Sequence, residues 1–124
     1  MRMVKSGNAV LQEKNIDAIL TEAVSRLRAL HPDRIVLFGS RAWGEANEES
    51  DIDLYIVTND ETIPSSWAEK SRIYQRYARV IHDLQGMLPI DLLVHTRAMH
   101  RMFIERGGSF ARMIQEKGKV LYEA

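Results

Sequence analysis

Two aspartates separated by one residue stand where an apolar segment begins, in Ser50-Asp51-Ile52-Asp53-Leu54. Alternate side chains of a β-strand face the same way, so these two carboxylates would share one face, roughly 6.6 Å apart along the chain. Aspartate is depleted in strands, and two neighbouring carboxylates repel each other unless a cation lies between them. Mg²⁺ commonly binds one or two carboxylates together with substrate phosphates. The pair is a candidate magnesium site, although two solvated aspartates at a turn would give the same pattern.

A third aspartate, Asp91, interrupts the apolar segment Ile90-Asp91-Leu92-Leu93-Val94. A carboxylate in such a strand is costly unless it is exposed or paired with a cation. If this strand lies beside the one that carries Asp51 and Asp53, three carboxylates meet on one sheet face. That arrangement could hold two metal ions about 4 Å apart for in-line displacement at phosphorus. An aspartate that faces water on an edge strand is the alternative.

The dipeptide Gly39-Ser40 directly follows the apolar run at residues 35–38. Glycine lets a ligand approach the backbone closely because it has no Cβ, and a helical turn after it would offer N–H groups to a phosphate. Ser40 adds a hydroxyl, and Arg41 adds a guanidinium suited to phosphate oxygens. Taken alone, the segment is equally typical of an ordinary turn.

The combined pattern of Gly39-Ser40, ten intervening residues, Asp51-x-Asp53 and a later aspartate in an apolar strand resembles the DNA polymerase beta-like nucleotidyltransferase superfamily. The segment Gly39-Ser40-Arg41-Ala42-Trp43-Gly44 and the short chain are similar to its minimal nucleotidyltransferases, or MNT proteins. The resemblance covers residues 16–95 and, more loosely, 103–123. It implies a small central mixed sheet covered by helices.

For the site, the resemblance implies that Asp51, Asp53 and Asp91 are catalytic and bind two Mg²⁺ ions. Gly39 and Ser40 would hold the triphosphate of ATP, with Arg41 close by. A hydroxyl would attack the α-phosphorus, expel pyrophosphate and leave AMP on the acceptor. Trp43 stands where relatives often carry arginine, so we expect its ring to pack or stack rather than to bind phosphate.

The resemblance also implies a partner, because minimal members act as antitoxins of HEPN-domain ribonuclease toxins and transfer AMP to a toxin tyrosine. Two alternatives stay open: a nucleotidyltransferase for an aminoglycoside-like small molecule, and a non-catalytic antitoxin that neutralises its partner by contact. A chain with one lobe makes a homodimer or a mixed complex plausible. The spacing of Arg76 and His82 fits a HEPN toxin loosely, but HEPN domains are all-helical and this sequence predicts strands.

Composition narrows the function classes further. The chain has 124 residues, with 17 basic and 17 acidic side chains, and this balance argues against general nucleic-acid binding. There is no cysteine, which excludes disulfides and thiolate metal sites. We see no secretory signal and no apolar run long enough to span a membrane, so we expect a cytoplasmic protein without a membrane partner.

Hydrophobic periodicity predicts one α/β (α+β) domain over residues 1–124. Residues 1–14 show no firm period and are predicted to be a loose lead-in before a helix at 15–31. A capping box at Ser66 and Glu69 begins a helix that runs to Gly86. Strands are predicted at 35–38, 52–57 and 90–94, helices from Thr96 with a break at Gly107-Gly108, and an extended piece at 120–122.

Several aromatic and histidine side chains have ordinary structural interpretations. His95 and His100 are interpreted as polar surface or helix-start residues, since no further ligand accompanies them at metal spacing. Trp67, Tyr74 and Tyr77 are interpreted as core or dimer contacts, with base stacking on a helix face as the alternative. Phe103 and Phe110 are interpreted as core, with docking of a partner helix as the alternative.

Overall fold

The computed structural model describes residues 2–44, 46 and 50–124, and for residues 2–14 only the backbone. Its centre is a four-stranded sheet with the order β3-β2-β1-β4. β1 pairs antiparallel with β2 and with β4, whereas β2 and β3 run parallel. This mixed sheet confirms the predicted fold class. The strands are β1 (Arg34–Phe38), β2 (Ile52–Val57), β3 (Ile90–His95) and β4 (Lys119–Glu123).

Helices cover both faces of the sheet. The main core lies on the face of Ile52, Leu54 and Ile56, against Leu27 and Tyr77. On the opposite face Val36, Tyr55 and Val57 pack against side chains of the two helices that follow β3. The helices are α1 (Arg2–Arg28), α2 (Ser40–Trp43), α3 (Trp67–Ala78), α4 (His82–Gln85), α5 (Arg97–Glu105) and α6 (Ser109–Lys117). None of the described helices is long and apolar enough to cross a lipid bilayer.

Two helix boundaries differ from the sequence prediction. α1 begins at Arg2, so the prediction of a loose lead-in over residues 1–14 is wrong for residues 2–14. These residues include no proline and several good helix formers, which lets the helix extend ahead of the apolar stripe that begins at Ile16. The helix predicted to run to Gly86 is divided by a 3₁₀ turn at Arg79–Ile81.

The predicted N-cap of α3 is present. The Glu69 backbone N–H donates to Ser66 Oγ at 3.1 Å. The Glu69 carboxylate, however, accepts from the backbone N–H and hydroxyl of Ser65 rather than from Ser66. The N-cap hydrogen bond of the capping box is therefore present, whereas the return hydrogen bond to the Glu69 carboxylate comes from Ser65 instead of Ser66.

Candidate active site

Asp53 of β2 and Asp91 of β3 lie directly opposite each other in the sheet. The two parallel strands pair in register, with Asp53 facing Asp91 and Leu54 facing Leu92. Register partners in a sheet point to the same face, so the two carboxylates leave the sheet side by side. Asp91 is exposed and Asp53 is half-buried. The condition stated from the sequence, that the two acid-bearing strands be neighbours, is met.

The Asp53 carboxyl is the electrostatic centre of this group. Burial, followed by the negative charges of Asp91 and Asp51, raises the pKa of Asp53 above its usual value. A hydrogen bond between the Asp53 and Asp91 side chains acts in the same direction. Bringing like charges together in this way disfavours ionisation, and a bound cation would reverse that effect.

Gly39 lies against Asp53, because the neighbouring Phe38 pairs with Asp53 across β1 and β2. Gly39 has φ 78° and ψ −165°, a conformation open essentially to glycine alone. A Cβ built on Gly39 would fall 2.3 Å from Asp53 Oδ2. Glycine at this position therefore permits both the turn into α2 and the close approach of the Asp53 carboxylate.

Arg41 connects α2 to the segment that carries the remaining acid. Its Nε and Nη2 donate to the backbone carbonyl of Ser50 at 2.9 and 2.6 Å. Asp51 follows Ser50 and is exposed, one residue ahead of β2. Ser40 begins α2 beside Gly39. The structure thus gathers the predicted residues at one end of β1, β2 and β3, and it directs the Arg41 guanidinium to the backbone before Asp51.

The chemistry of the donor groups fits Mg²⁺. Asp53 and Asp91 supply paired carboxylate oxygens, and Gly39, which has no Cβ, lets the Asp53 carboxylate lie against the main chain. Within the residues described, no group of three His, Asp or Glu side chains is arranged to hold a metal ion by itself. Mg²⁺ usually completes its coordination with water and substrate phosphates, so two protein carboxylates meet its needs. Direct coordination by Asp51 stays a prediction.

A hydrogen-bonded group beside the acids was not foreseen from sequence. The buried Tyr55 hydroxyl lies 2.9 Å from Nδ1 of His95 and 2.8 Å from Nδ1 of His100. Burial lowers the pKa of His95 to about 4 and also lowers the pKa of His100. Neutral histidines therefore surround Tyr55, one donating to its oxygen and one accepting its proton. The expectation of ordinary polar surface is wrong for both histidines, since they are half-buried and hydrogen-bonded. The alternative of a helix start is correct, because His95 directly precedes Thr96, the N-cap of α5, and His100 lies in the first turn of that helix. Alternation in β2 and β3, which places Tyr55 and His95 on one face, was the available signal for their contact.

The aromatic predictions have mixed outcomes. Tyr77 is fully buried, as a core residue should be, whereas the Trp67 side chain is 82% exposed. Phe110 is also exposed, although it packs edge-on against Phe38 and Phe103. The Trp43 ring lies beneath the Lys117 ammonium, 5.9 Å from its centroid, which agrees with a packing role.

Comparison with known proteins identifies the type of domain. Residues 17–122 match the family described as the nucleotidyltransferase domain. A proposed protein adenylyltransferase of Methanocaldococcus jannaschii is 30% identical over 73 residues. That alignment covers 58% of this chain and 65% of the relative, so it spans slightly less than two thirds of the archaeal protein.

A solved structure has the same fold. The crystal structure of a proposed nucleotidyltransferase from Sulfolobus solfataricus superposes with a TM-score of 0.54. The superposition covers 93% of this chain and 86% of that one, at 18% sequence identity. At that identity the likeness supports the architecture, while the chemistry depends on the site described above.

Proposed function

Because the chain belongs to the nucleotidyltransferase domain family, we propose that it transfers AMP from ATP to a hydroxyl group of another protein. The single observation that carries the proposal is the in-register pairing of Asp53 with Asp91 beside Gly39. The family match supports nucleotidyl transfer in general. The name of the archaeal relative supports ATP as donor and protein as acceptor.

In the proposed reaction the acceptor oxygen attacks the α-phosphorus of ATP. The bond between that phosphorus and the α–β bridging oxygen breaks, and pyrophosphate leaves with the bonding electron pair. Asp91, which is more exposed than its register partner Asp53, takes the proton of the acceptor hydroxyl. Mg²⁺ at the carboxylate pair would supply positive charge for the phosphate oxygens, which carry most of the developing charge.

The remaining residues bind and position. Gly39, whose Cβ position is filled by the Asp53 carboxylate, would meet the triphosphate through its main chain, and Ser40 would offer its hydroxyl at the start of α2. Arg41 acts through the Ser50 carbonyl, where its two donors hold the backbone that leads into Asp51. We propose from this contact that Arg41 is a positioning residue, and the direct phosphate contact expected from the sequence stays a prediction.

For the acceptor we propose a tyrosine of a HEPN-domain ribonuclease toxin, so that the chain acts as an antitoxin. The support is the MNT-like segment from Gly39 to Gly44 together with the archaeal relative named for protein adenylylation. The described part of the chain forms one sheet with its covering helices, and a protein acceptor would supply the other wall of the site.

Intact mass spectrometry tests this proposal directly. The chain is incubated with ATP, Mg²⁺ and a HEPN protein, and we expect the HEPN protein to gain whole AMP units. Asp53→Asn should abolish that gain, while Asp17→Asn, which alters an exposed aspartate of α1, should leave it unchanged. Full neutralisation of the toxin by Asp53→Asn without any mass gain would overturn catalysis in favour of neutralisation by contact. AMP found only on small-molecule alcohols would overturn the protein acceptor.

A further inference from the structure

The outer edge of β3 is open to a further strand. The Ile52 N–H donates to the Pro89 carbonyl at 3.0 Å, and the Thr58 N–H donates to the His95 carbonyl at 2.8 Å. In a parallel ladder these two bonds fix which residues face β2, namely every second residue from 89 to 95. Leu92 and Val94 consequently direct their N–H and C=O groups away from the sheet.

This edge begins after Ile90. The outward carbonyl of Ile90 accepts a hydrogen bond from Gln85 Nε2 at 2.8 Å, so that position is already occupied. Over the described ranges, β3 is terminal in the sheet and pairs on one side only. Exposed strand edges favour pairing with another chain, and soluble proteins normally block them unless pairing is used.

A groove of about 380 Å³ runs along this edge between α3 and β3. Trp67 and Tyr74 of α3 line it together with Leu92 and Val94, whose side chains lie on the main-core face, and with Leu93 at the strand edge. Lys70 is the one charged residue of its lining. Trp67 is 82% exposed, which is unusual for so large an apolar side chain. The groove therefore combines open backbone groups, an apolar wall and a positive charge.

We propose that the acceptor protein presents its hydroxyl on an extended segment that adds to the β3 edge at Leu92 and Val94, an inference that rests on the proposed function. Strand addition of this kind derives affinity from backbone hydrogen bonds and specificity from alternate side chains. Side chains on one face of the added segment would stand beside Asp91 and Leu93. Side chains on the other face would enter the groove against Trp67.

The pleat of the added segment sets a sequence rule for the acceptor. A hydroxyl residue beside Asp91 and apolar residues in the groove must point to opposite faces, so an odd number of positions separates them. The positive charge of Lys70 favours an acidic residue in the same segment. The acceptor segment should therefore be extended, carry apolar residues at odd spacing from its hydroxyl residue, and be acidic.

Two short synthetic peptides of identical composition test the rule. Each holds one tyrosine as its single hydroxyl residue, with two leucines and glutamates on a glutamine background; the leucines stand at odd spacing from the tyrosine in one peptide and at even spacing in the other. Titration into the ¹⁵N-labelled full-length protein reports binding through the amide resonances of Leu92 and Val94. Incubation with Mg-ATP reports AMP transfer by intact mass.

We expect the odd-spaced peptide to shift both amide resonances and to receive about tenfold more AMP than the even-spaced peptide. Equal labelling of the two peptides, or labelling without a shift at Leu92 and Val94, would overturn strand addition and leave AMP transfer intact. Amide shifts with no AMP on either peptide would instead count against the proposed function while supporting the docking edge. If neither peptide shifts the amide resonances of Leu92 and Val94 and neither gains AMP, the proposal that the β3 edge binds the acceptor would be overturned.

Variants of the groove supply matched controls. Trp67→Glu should reduce labelling of the odd-spaced peptide about tenfold by raising its KM, whereas Met87→Glu, at a similarly exposed apolar residue away from the groove, should not.

Lys70→Glu should weaken labelling of the acidic peptide and favour a version with lysines in place of glutamates. Lys119→Glu, on the opposite sheet edge, is the charge control. An equal effect of Lys70→Glu and Lys119→Glu would contradict the proposal.

Discussion

Arg41 donates two hydrogen bonds from one guanidinium to the carbonyl of Ser50, nine residues later in the chain. The contact fastens the short helix after β1 to the entry of β2. Since Asp51 is the next residue, the position of its carboxylate depends on this contact. A residue whose type suggested phosphate binding thus sets the geometry of an acid.

Arg41→Lys removes the paired hydrogen bonds from Nε and Nη2 to the Ser50 carbonyl while keeping the positive charge. We expect kcat for AMP transfer to fall about tenfold, since a charged hydrogen bond contributes about 1.5–3 kcal/mol, while the KM for ATP changes little. Steady-state kinetics over a range of ATP concentrations measures the two constants separately. A large rise in KM with an unchanged kcat would show that Arg41 binds the triphosphate directly.

Gly39→Ala tests the close approach of the backbone to Asp53. The new Cβ would fall 2.3 Å from Asp53 Oδ2 and would also occupy a strained conformation, so we expect a loss of about 1–3 kcal/mol of stability and of most activity. Gly44→Ala is the matched control: its φ is 81°, but no atom lies within 4 Å of its added Cβ. Urea unfolding should show a loss of stability in both variants, since both are strained. AMP transfer should fall mainly in Gly39→Ala, since only that variant displaces the Asp53 carboxylate. Equal activity losses in the two variants would contradict the role assigned to Gly39.

Asp53→Asn should stabilise the fold slightly while abolishing transfer. The raised pKa of Asp53 means that folding disfavours its charged form, so removing the charge should slightly raise the free energy of unfolding in the absence of Mg²⁺. Mg²⁺ should raise the Tm of the unmodified protein but not that of the variant, because a ligand stabilises only the state that binds it. Thermal unfolding with and without Mg²⁺ measures both effects. An equal rise in Tm for the two proteins would place the cation elsewhere.

The group of Tyr55, His95 and His100 predicts acid sensitivity. Because the pKa of His95 is lowered to about 4, the unfolded chain binds protons at a pH where the folded protein does not. The contribution of His95 to the free energy of unfolding should be complete above about pH 6.5 and be lost toward pH 4. Because the ring is partly exposed and solvent screens it, the loss should be on the order of 2 kcal/mol rather than the full value of the shift. Besides Tyr55, the groups acting on the two histidines are Lys70, Arg34 and Asp33.

Urea unfolding at pH 7.5, 5.5 and 4.5 measures this loss. Replacing both histidines with glutamine should flatten the dependence over that interval. A stability that stays constant from pH 7.5 to 4.5 in the unmodified protein would contradict the assignment of neutral histidines around Tyr55.

Local patterns were sufficient to predict much of this fold. Alternating and continuous apolar residues located β1, β2 and β3, and Gly118 marked the end of α6. Strand order and direction depend on contacts between distant segments, so the pairing of Asp53 with Asp91 could be stated only as a condition. The start of α1 was missed because helix propensity, without an apolar stripe, leaves no periodic signal.

The candidate site likewise contains residues that the sequence identifies and contacts that it does not. Residue type and spacing identified Gly39 and the three aspartates as candidates. The contact of Arg41 with a main-chain carbonyl has no sequence signature, since any acceptor oxygen would serve. The histidines around Tyr55 were undervalued because they were considered as metal ligands, whereas their partner is a hydroxyl on a neighbouring strand.

The pairing of β4 with β1 has a consequence for how the protein is made. Arg34 and Glu123 form an ion pair at 2.8 Å although 89 positions separate them. Contacts between such distant segments form slowly, because a long loop must close before they are gained. A nascent chain that has already assembled β1, β2 and β3 would expose the outer edge of β1 until β4 has been synthesised. Chaperones that shield strand edges should therefore matter most in the interval before β4 is available to pair with β1.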